Sequence, residues 1–296
     1  MGKRGNYKFL GKFSYYLPGV GGMFALLAWL LVGAFLGGII VVILSLAMGA
    51  EFATEYGTII SYPVMFIPPM IYASNKSSAN SMYVRGWKLD SSHFAPLGAL
   101  KCALLAIVAT ISLGFWTDGI VELLPEMPAS LKAALEQLTQ GNFWLNLLSV
   151  SIFAPVFEEW LCRGMILRGL LQKVKLNPVW AIVISAAFFA LIHMNPWQAI
   201  PAFLMGCVFG IVYFRTGSLK LTMFMHFVNN TFALVVGHID SLKDVDSWKD
   251  IMPEGYFTVT AVACFLLTVL AVMAFRKIQP QRPEGSFDEV PSLFEE

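Results

Sequence analysis

Long runs of apolar residues, separated by short polar connections, extend over most of the chain. A helix needs about 20 apolar residues to cross the hydrocarbon core of a bilayer, which is about 30 Å thick. Eight runs come close to that length, namely residues 22–48, 56–74, 97–115, 143–162, 178–194, 197–214, 219–237 and 255–275. The pattern therefore predicts an all-α fold, a polytopic membrane helical bundle with about eight transmembrane helices.

Small residues and prolines within these runs predict local features of the helices. Three prolines interrupt the second run, which predicts a kinked helix. Two GxxxG patterns, Gly33–Gly37 and Gly206–Gly210, are typical of membrane helices that approach a neighbour closely. The connection before residue 143 contains the segment ASLKAALEQL, which predicts a short helix at the membrane interface.

The boundaries of the apolar runs suggest a single membrane domain over residues 22–275. A cytoplasmic N-terminal segment, residues 1–21, precedes it. A cytoplasmic tail, residues 276–296, follows it and is predicted to be disordered because it is polar and contains prolines. We expect no second domain.

Composition supports the membrane assignment and excludes other classes of protein. Hydrophobic residues make up 57% of the chain and charged residues only 13%, whereas a soluble domain carries about 25% charged residues. The net charge of +1 and the lack of a long basic run argue against a nucleic-acid partner. The four cysteines are far apart and predict neither a disulfide framework nor a cysteine metal site.

Charges in the connections alternate in sign along the chain. The first connection contains only acidic charges, Glu51 and Glu55, whereas the fourth contains only basic ones, Arg163, Arg168, Lys173 and Lys175. Basic connections remain in the cytoplasm, so this alternation predicts that both termini are cytoplasmic. The short N-terminal segment and compact connections favour a bacterial cytoplasmic membrane.

The segment FAPVFEEWLCRG, residues 153–164, places three charges inside an apolar run. A charge near the centre of a membrane helix costs about 2.5–3.5 kcal/mol on insertion scales. Glu159 and Arg163 have the i, i+4 spacing of a helical ion pair, whereas Glu158 has no basic residue at either i+3 or i+4. One interpretation is that all three are solvated at a helix end; the other is that Glu158 has a partner on another helix.

Two histidines also interrupt apolar runs. His193 lies in AAFFALIHMNP and His226 in LTMFMHFVNN, where Asn230 is one helical turn beyond His226 and Asn229 is an alternative candidate. A lone membrane histidine most often bonds one helix to another. A carboxylate, two imidazoles and a carboxamide brought together could instead supply a base, a group that orients it, and donors to an oxyanion.

Three motifs on separate apolar runs resemble those of a known family. EEWLCR fits EExxxR, FALIH fits FxxxH and HFVNN fits HxxxN, in that order. The chain thus resembles the CAAX protease and bacteriocin-processing family of intramembrane endopeptidases, which includes the CAAX prenyl endopeptidases. The resemblance covers about residues 143–237, which would form the catalytic core.

The resemblance implies a role for each motif residue. Glu158 would activate the attacking water with help from His193, while Glu159 and Arg163 would brace the site. His226 and Asn230 would bind a metal or stabilise the oxyanion. A Zn²⁺ ion could take Glu158, His193 and His226 as ligands and leave a position for water, but a metal-free mechanism is equally compatible with these residues.

The predicted function is an intramembrane endopeptidase, a hydrolase of the metalloprotease type if a metal is bound. Its partners would be the lipid bilayer and a membrane-associated or lipidated peptide or protein substrate. Two alternatives remain: a non-catalytic scaffold or bacteriocin self-immunity protein of the same fold, and a proton-coupled transporter that uses Glu158, His193 and His226 as a relay. Sequence motifs of other intramembrane proteases, such as HExxH, are missing.

The predicted boundaries do not let these residues meet. His193 falls near the opposite end of its run from the cytoplasm, while Glu158 falls near the cytoplasmic end of its own. Either the fourth helix continues to about residue 172, or the fifth is short, tilted or broken near Pro196. His226 favours a site open to the cytoplasmic side.

Overall fold

The computed structural model describes residues 8–140, 142–173, 175–242, 245, 247–253 and 255–280, and within these ranges it contains helices and turns but no strand. All eight predicted spans are helices. They are α1 (Val20–Met48), α2 (Ala50–Asn80), α3 (Ala99–Val121), α4 (Phe143–Leu171), α5 (Pro178–Leu191), α6 (Pro196–Thr216), α7 (Leu219–Gly237) and α8 (Tyr256–Phe275).

Most of these helices can cross a membrane by length and composition. Six of those in the described ranges qualify: α1, α3, α4, α6, α7 and α8. Helix α5 is apolar but has only 14 residues. Helix α2 has 31 residues, but it is less apolar and contains Pro63, Pro68 and Pro69. The polytopic helical membrane bundle predicted from the sequence is therefore confirmed.

Shorter helices precede α1 and lie in two of the connections. One helical turn, Lys8–Gly11, precedes α1, and the helix predicted in the third connection spans Ala129–Gln140. A third short helix, Trp248–Ile251, lies between α7 and α8. Of the predicted disordered tail, residues 281–296 lie outside the described residues.

Helix α4 lies at the centre of the bundle. Residues 159–170 are all buried, and two stretches of the helix, Leu147–Phe153 and Trp160–Leu167, have the wider turns of a π-helix. Such turns are common at functional sites. The helix continues nine residues beyond the predicted end at 162, so Glu158 lies near its middle.

The buried residue Arg168 explains why α4 is longer than predicted. Its side chain is fully buried and donates hydrogen bonds to five backbone carbonyls, those of Gly164, Phe13, Ser14, Tyr16 and Trp87. Arg163 is also fully buried. Neither arginine therefore belongs to an exposed connection, where their charges had placed them, and the helix continues through both.

The N-terminal segment packs onto this central helix. Phe13 is buried, and its ring contacts Trp160 at 5.2 Å between centroids. Together with the carbonyls that Arg168 binds, this contact attaches residues 13–16 to α4. The segment before α1 is therefore part of the folded core from Phe13 onward.

The first glycine of each GxxxG pattern lies where two helices nearly touch. A Cβ on Gly33 would lie 2.1 Å from the carbonyl oxygen of Met65 on α2, and one on Gly206 would lie 2.9 Å from the Cβ of Ala186 on α5. The close approach predicted from both patterns is confirmed. It brings α6 against α5, so that the backbone of α6 reaches the centre of the bundle.

Substituting Gly206 with alanine is expected to destabilise the protein. The added methyl group meets the backbone and Cβ of Ala186, which cannot move away as a flexible side chain can, and overpacking of this kind costs about 1–3 kcal/mol. Gly38→Ala is the matched control, because a Cβ there meets nothing within 4 Å. Thermal unfolding in detergent would measure both; equal midpoints for the two variants would contradict the prediction.

Candidate active site

Glu158 reaches towards two other helices from the middle of α4. Its Oε1 accepts a hydrogen bond from the hydroxyl of Tyr62 on α2. Its Oε2 lies 3.9 Å from Nε2 of His226 on α7 and is buried without a hydrogen-bond partner among the described residues. One carboxylate oxygen is thus held, while the other is free to accept a proton or a hydrogen bond.

Glu159 points in a different direction, because adjacent helical residues are rotated by about 100°. It forms an ion pair with Arg163, with 2.6 Å between Oε1 and Nη1, and both side chains are fully buried. Arg163 also donates a 3.2 Å hydrogen bond to the carbonyl of Gly206 on α6. Its guanidinium lies over the ring of Phe189, 4.6 Å from the centroid. The charge of Glu159 is therefore balanced inside the bundle.

His226 bridges the two glutamates. Its Nδ1 lies 3.3 Å from Oε1 of Glu159, and its Nε2 faces Glu158. An ionised carboxylate only accepts hydrogen bonds, so the contact with Glu159 places a proton on Nδ1. The other ring nitrogen, Nε2, faces Glu158. The polar side chains are therefore neighbours in the order Arg163, Glu159, His226 and Glu158.

His193 occupies the turn that follows α5. Its Nδ1 lies 2.8 Å from the carbonyl oxygen of Phe189. Since a carbonyl only accepts, Nδ1 donates this hydrogen bond, and in the neutral imidazole Nε2 then has a free lone pair. The ring of Phe189 contacts both imidazoles, with centroids 5.0 Å from that of His193 and 5.6 Å from that of His226. No hydrogen bond or ion pair joins His193 to Glu158 in the described part of the chain.

The turn geometry explains why α5 ends before His193. The side chain of Asn195 accepts a hydrogen bond from the backbone of Gln198 and caps α6, and Pro196 is the first residue of that helix. Met194 has a positive φ of 53°. The break near Pro196 and the longer α4, which the sequence left as alternatives, are both present.

Asn230 and Asn229 have different surroundings. The amide of Asn230 donates a 2.8 Å hydrogen bond to the carbonyl of Val150 on α4, and it accepts one of 3.0 Å from Asn229. Asn230 therefore shares the α4-facing side of α7 with His226. Asn229 instead lines a cleft of about 500 Å³ between α3, α7 and the short helix Ala129–Gln140.

The predicted zinc ligands do not form a ligand group. Among the described residues, no cluster of three His, Cys, Asp or Glu side chains could hold a metal ion. Glu158 and His226 face each other, but the ring of Phe189 contacts both histidines. The arrangement does not fit a three-ligand site, and a bound Zn²⁺ remains a prediction from the resemblance.

Sequence reasoning missed two groups that contact the site. The hydroxyl of Tyr62 and the carbonyl of Gly206 lie on helices outside the three motifs. A tyrosine within an apolar run has no sequence spacing that pairs it with a residue 96 positions away. The only available signal was its polar hydroxyl inside a run broken by prolines.

Comparisons with known proteins concern this same part of the chain. Residues 140–232 match a family model described as type II CAAX prenyl endopeptidase Rce1-like. The "Membrane-embedded CAAX protease MroQ" of Staphylococcus aureus is 33% identical over 91 residues, which cover 29% of this chain and 36% of that protein. The "Putative membrane peptidase YdiL" of Bacillus subtilis is 29% identical over 92 residues, or 31% and 37% of the two chains.

The similarity is thus local. It spans about a third of the length of each of these curated relatives, and no solved structure matches the chain. The matched residues contain all three motifs. The resemblance that these motifs predicted is confirmed.

Proposed function

We propose that the protein, whose residues 140–232 match the model of the Rce1-like type II CAAX prenyl endopeptidases, is an intramembrane endopeptidase. It hydrolyses peptide bonds of membrane-associated or lipidated peptides by means of a water molecule that Glu158 activates. The observation that carries the proposal is the free Oε2 of Glu158, buried beside Nε2 of His226.

In this proposal, one water molecule bridges these two atoms. A normal hydrogen bond measures about 2.8 Å, and the 3.9 Å separation is shorter than two such bonds. A water beside both atoms can therefore contact Oε2 and Nε2 together. Glu158 takes its proton as the oxygen attacks the carbonyl carbon of the substrate.

The neighbouring groups complete the reaction. Glu159 holds Nδ1–H of His226, so that the imidazole keeps its orientation towards Glu158, and Arg163 compensates the charge of Glu159. The tetrahedral oxyanion is stabilised by His226 and by the second amide N–H of Asn230, whose first donates to Val150. Glu158 then transfers its proton to the leaving amine nitrogen as the C–N bond breaks.

His193 has a supporting role in this scheme. Its Nδ1–H is bound to the carbonyl of Phe189, so its Nε2 can accept a hydrogen bond from the water or from the peptide N–H. It lies beyond the ring of Phe189 rather than against Glu158. We expect its contribution to be smaller than that of Glu158.

The protein is an integral membrane protein, and its orientation forms part of the proposal. We place it in the bacterial cytoplasmic membrane with both termini in the cytoplasm. If each of α1 to α8 crosses the membrane, both ends lie on one side. Lys173 and Lys175 remain exposed in the α4–α5 connection, which supports a cytoplasmic position for it.

Cleavage of defined peptides tests the proposal. The purified protein, in liposomes, would be incubated with a quenched library of prenylated and unprenylated membrane peptides, and products would be mapped by mass spectrometry. We expect cleavage by the parent protein and none by Glu158→Gln. Equal cleavage by both would exclude Glu158 as the base, and no cleavage by either would favour the scaffold alternative.

Metal removal is expected to leave the rate of cleavage unchanged. The proposed base is a carboxylate, and no three-ligand group for a metal forms among the described residues. The parent protein would be assayed before and after prolonged treatment with EDTA or 1,10-phenanthroline, with its metal content measured. Loss of activity that Zn²⁺ alone restores would contradict this expectation.

A further inference from the structure

We propose that Tyr62 is a positioning residue for Glu158 and prevents its carboxylate from pairing directly with His226. This inference rests on the proposed function. It extends the site to α2, outside the residues that match the family model. The contact between the Tyr62 hydroxyl and Oε1 of Glu158 carries it.

Aromatic packing places the tyrosine independently of its hydroxyl. The ring of Tyr62 lies 5.6 Å from that of Phe66, which is fully buried. Phe66 in turn stacks on Phe157 of α4, at 5.1 Å between centroids and 13° between planes. Phe157 directly precedes Glu158 in the chain. These three rings join α2 to α4, so packing of the two helices does not depend on the hydroxyl.

The hydroxyl acts on a carboxylate that could otherwise turn. The last torsion of a glutamate side chain is broad and roughly two-fold, and Glu158 faces Nε2 of His226 at 3.9 Å. That distance exceeds a hydrogen bond, which ends at about 3.2 Å. Released from Tyr62, the carboxylate could close on His226 as a direct pair and occupy the position of the water. Tyr62 prevents this by holding the other oxygen, Oε1.

The two adjacent glutamates show why a neutral donor suits this role. Glu159 is held by a cation, Arg163, which balances its charge. Glu158 is held by a neutral hydroxyl, which fixes one oxygen but adds no positive charge. The Oε2 atom of Glu158 therefore remains available as a proton acceptor. Glu159 thus has a structural role, whereas Glu158 carries the chemistry.

Tyr62→Phe removes only the hydroxyl and retains the ring. We expect kcat to fall about 10- to 100-fold, the loss associated with misplacement of a catalytic group by about 1 Å. KM and the midpoint of thermal unfolding should stay at parental values, because Tyr62 contacts Glu158 and its ring packing is kept. Tyr56→Phe is the matched control on the same helix, where the ring stacks on Phe52; it should behave as the parent.

Each outcome of the kinetic test decides one point. An unchanged kcat in Tyr62→Phe would overturn the proposal. A rise in KM with a lower unfolding midpoint would overturn it too, since it would show a merely structural role. A parent protein without activity, or an active Glu158→Gln variant, would instead reject the proposed function.

A spectroscopic measurement tests Tyr62 even if no substrate is found. Protein labelled with ¹³C-glutamate gives an infrared carboxylate band for Glu158 as the difference between the parent and Glu158→Gln. In the Tyr62→Phe background, that band should shift because the hydrogen bond to Oε1 is lost. An identical band in both backgrounds would overturn the proposal.

Discussion

Replacing Glu158 with glutamine should lower kcat by about 10²- to 10⁴-fold, the range that a general base contributes. Glutamine has nearly the same shape, and its amide oxygen can still accept the hydrogen bond from Tyr62. It lacks the basic lone pair that Glu158 presents at Oε2. The unfolding midpoint should not fall, because a neutral group replaces a charge that is only partly balanced by His226.

Steady-state kinetics with the best-cleaved peptide of the library would measure this loss. Glu55→Gln is a suitable control, since Glu55 is an exposed glutamate on α2. It should keep the parental rate. A near-parental kcat in Glu158→Gln would show that another group activates the water, with His193 the next candidate because of its free Nε2.

Breaking the buried ion pair should cause the largest loss of stability. Arg163 and Glu159 are both fully buried, so either Glu159→Leu or Arg163→Met leaves a charge without its partner. Removal of one partner from such a pair costs about 3–5 kcal/mol of unfolding free energy, whereas apolar replacement of both is often neutral. The double variant should therefore lose much less unfolding free energy than the two single variants lose together.

Chemical unfolding in mixed micelles would give the free energy of unfolding for all three variants. Lys249→Met is the control, since its 3.2 Å pair with Glu122 is largely exposed and should be worth at most about 1 kcal/mol. Additive losses in the double variant would contradict the role of a buried pair. Even when stable, the double variant should have little activity, because His226 loses the carboxylate that orients Nδ1.

The motif segments illustrate what local pattern can predict. The i, i+4 spacing of Glu159 and Arg163, and of His226 and Asn230, follows from helical periodicity alone, so residues that share a face could be recognised. The rotation between Glu158 and Glu159 likewise showed that Glu158 needs a partner elsewhere. It could not show that the partner would be Tyr62, since that contact crosses 96 residues of sequence.

Arg168 and His193 show where local pattern misleads. Charge patterning placed Arg168 in a cytoplasmic connection, but five backbone carbonyls satisfy its buried guanidinium. Apolar periodicity continued the fifth helix through His193, but the cap at Asn195 ends it earlier. In both cases the deciding contacts are hydrogen bonds to the backbone, which residue type alone does not reveal.

The amino-acid sequence by itself determined that the chain is a helical membrane protein, where its helices lie, and which three segments carry the polar residues. These properties depend on apolar length and helical period, which are local. Only the tertiary structure decided that α4 is central, that His226 bridges two glutamates and that Tyr62 holds one of them. Such contacts depend on how distant helices pack, because burial of a polar group is favourable only where another helix supplies its partner.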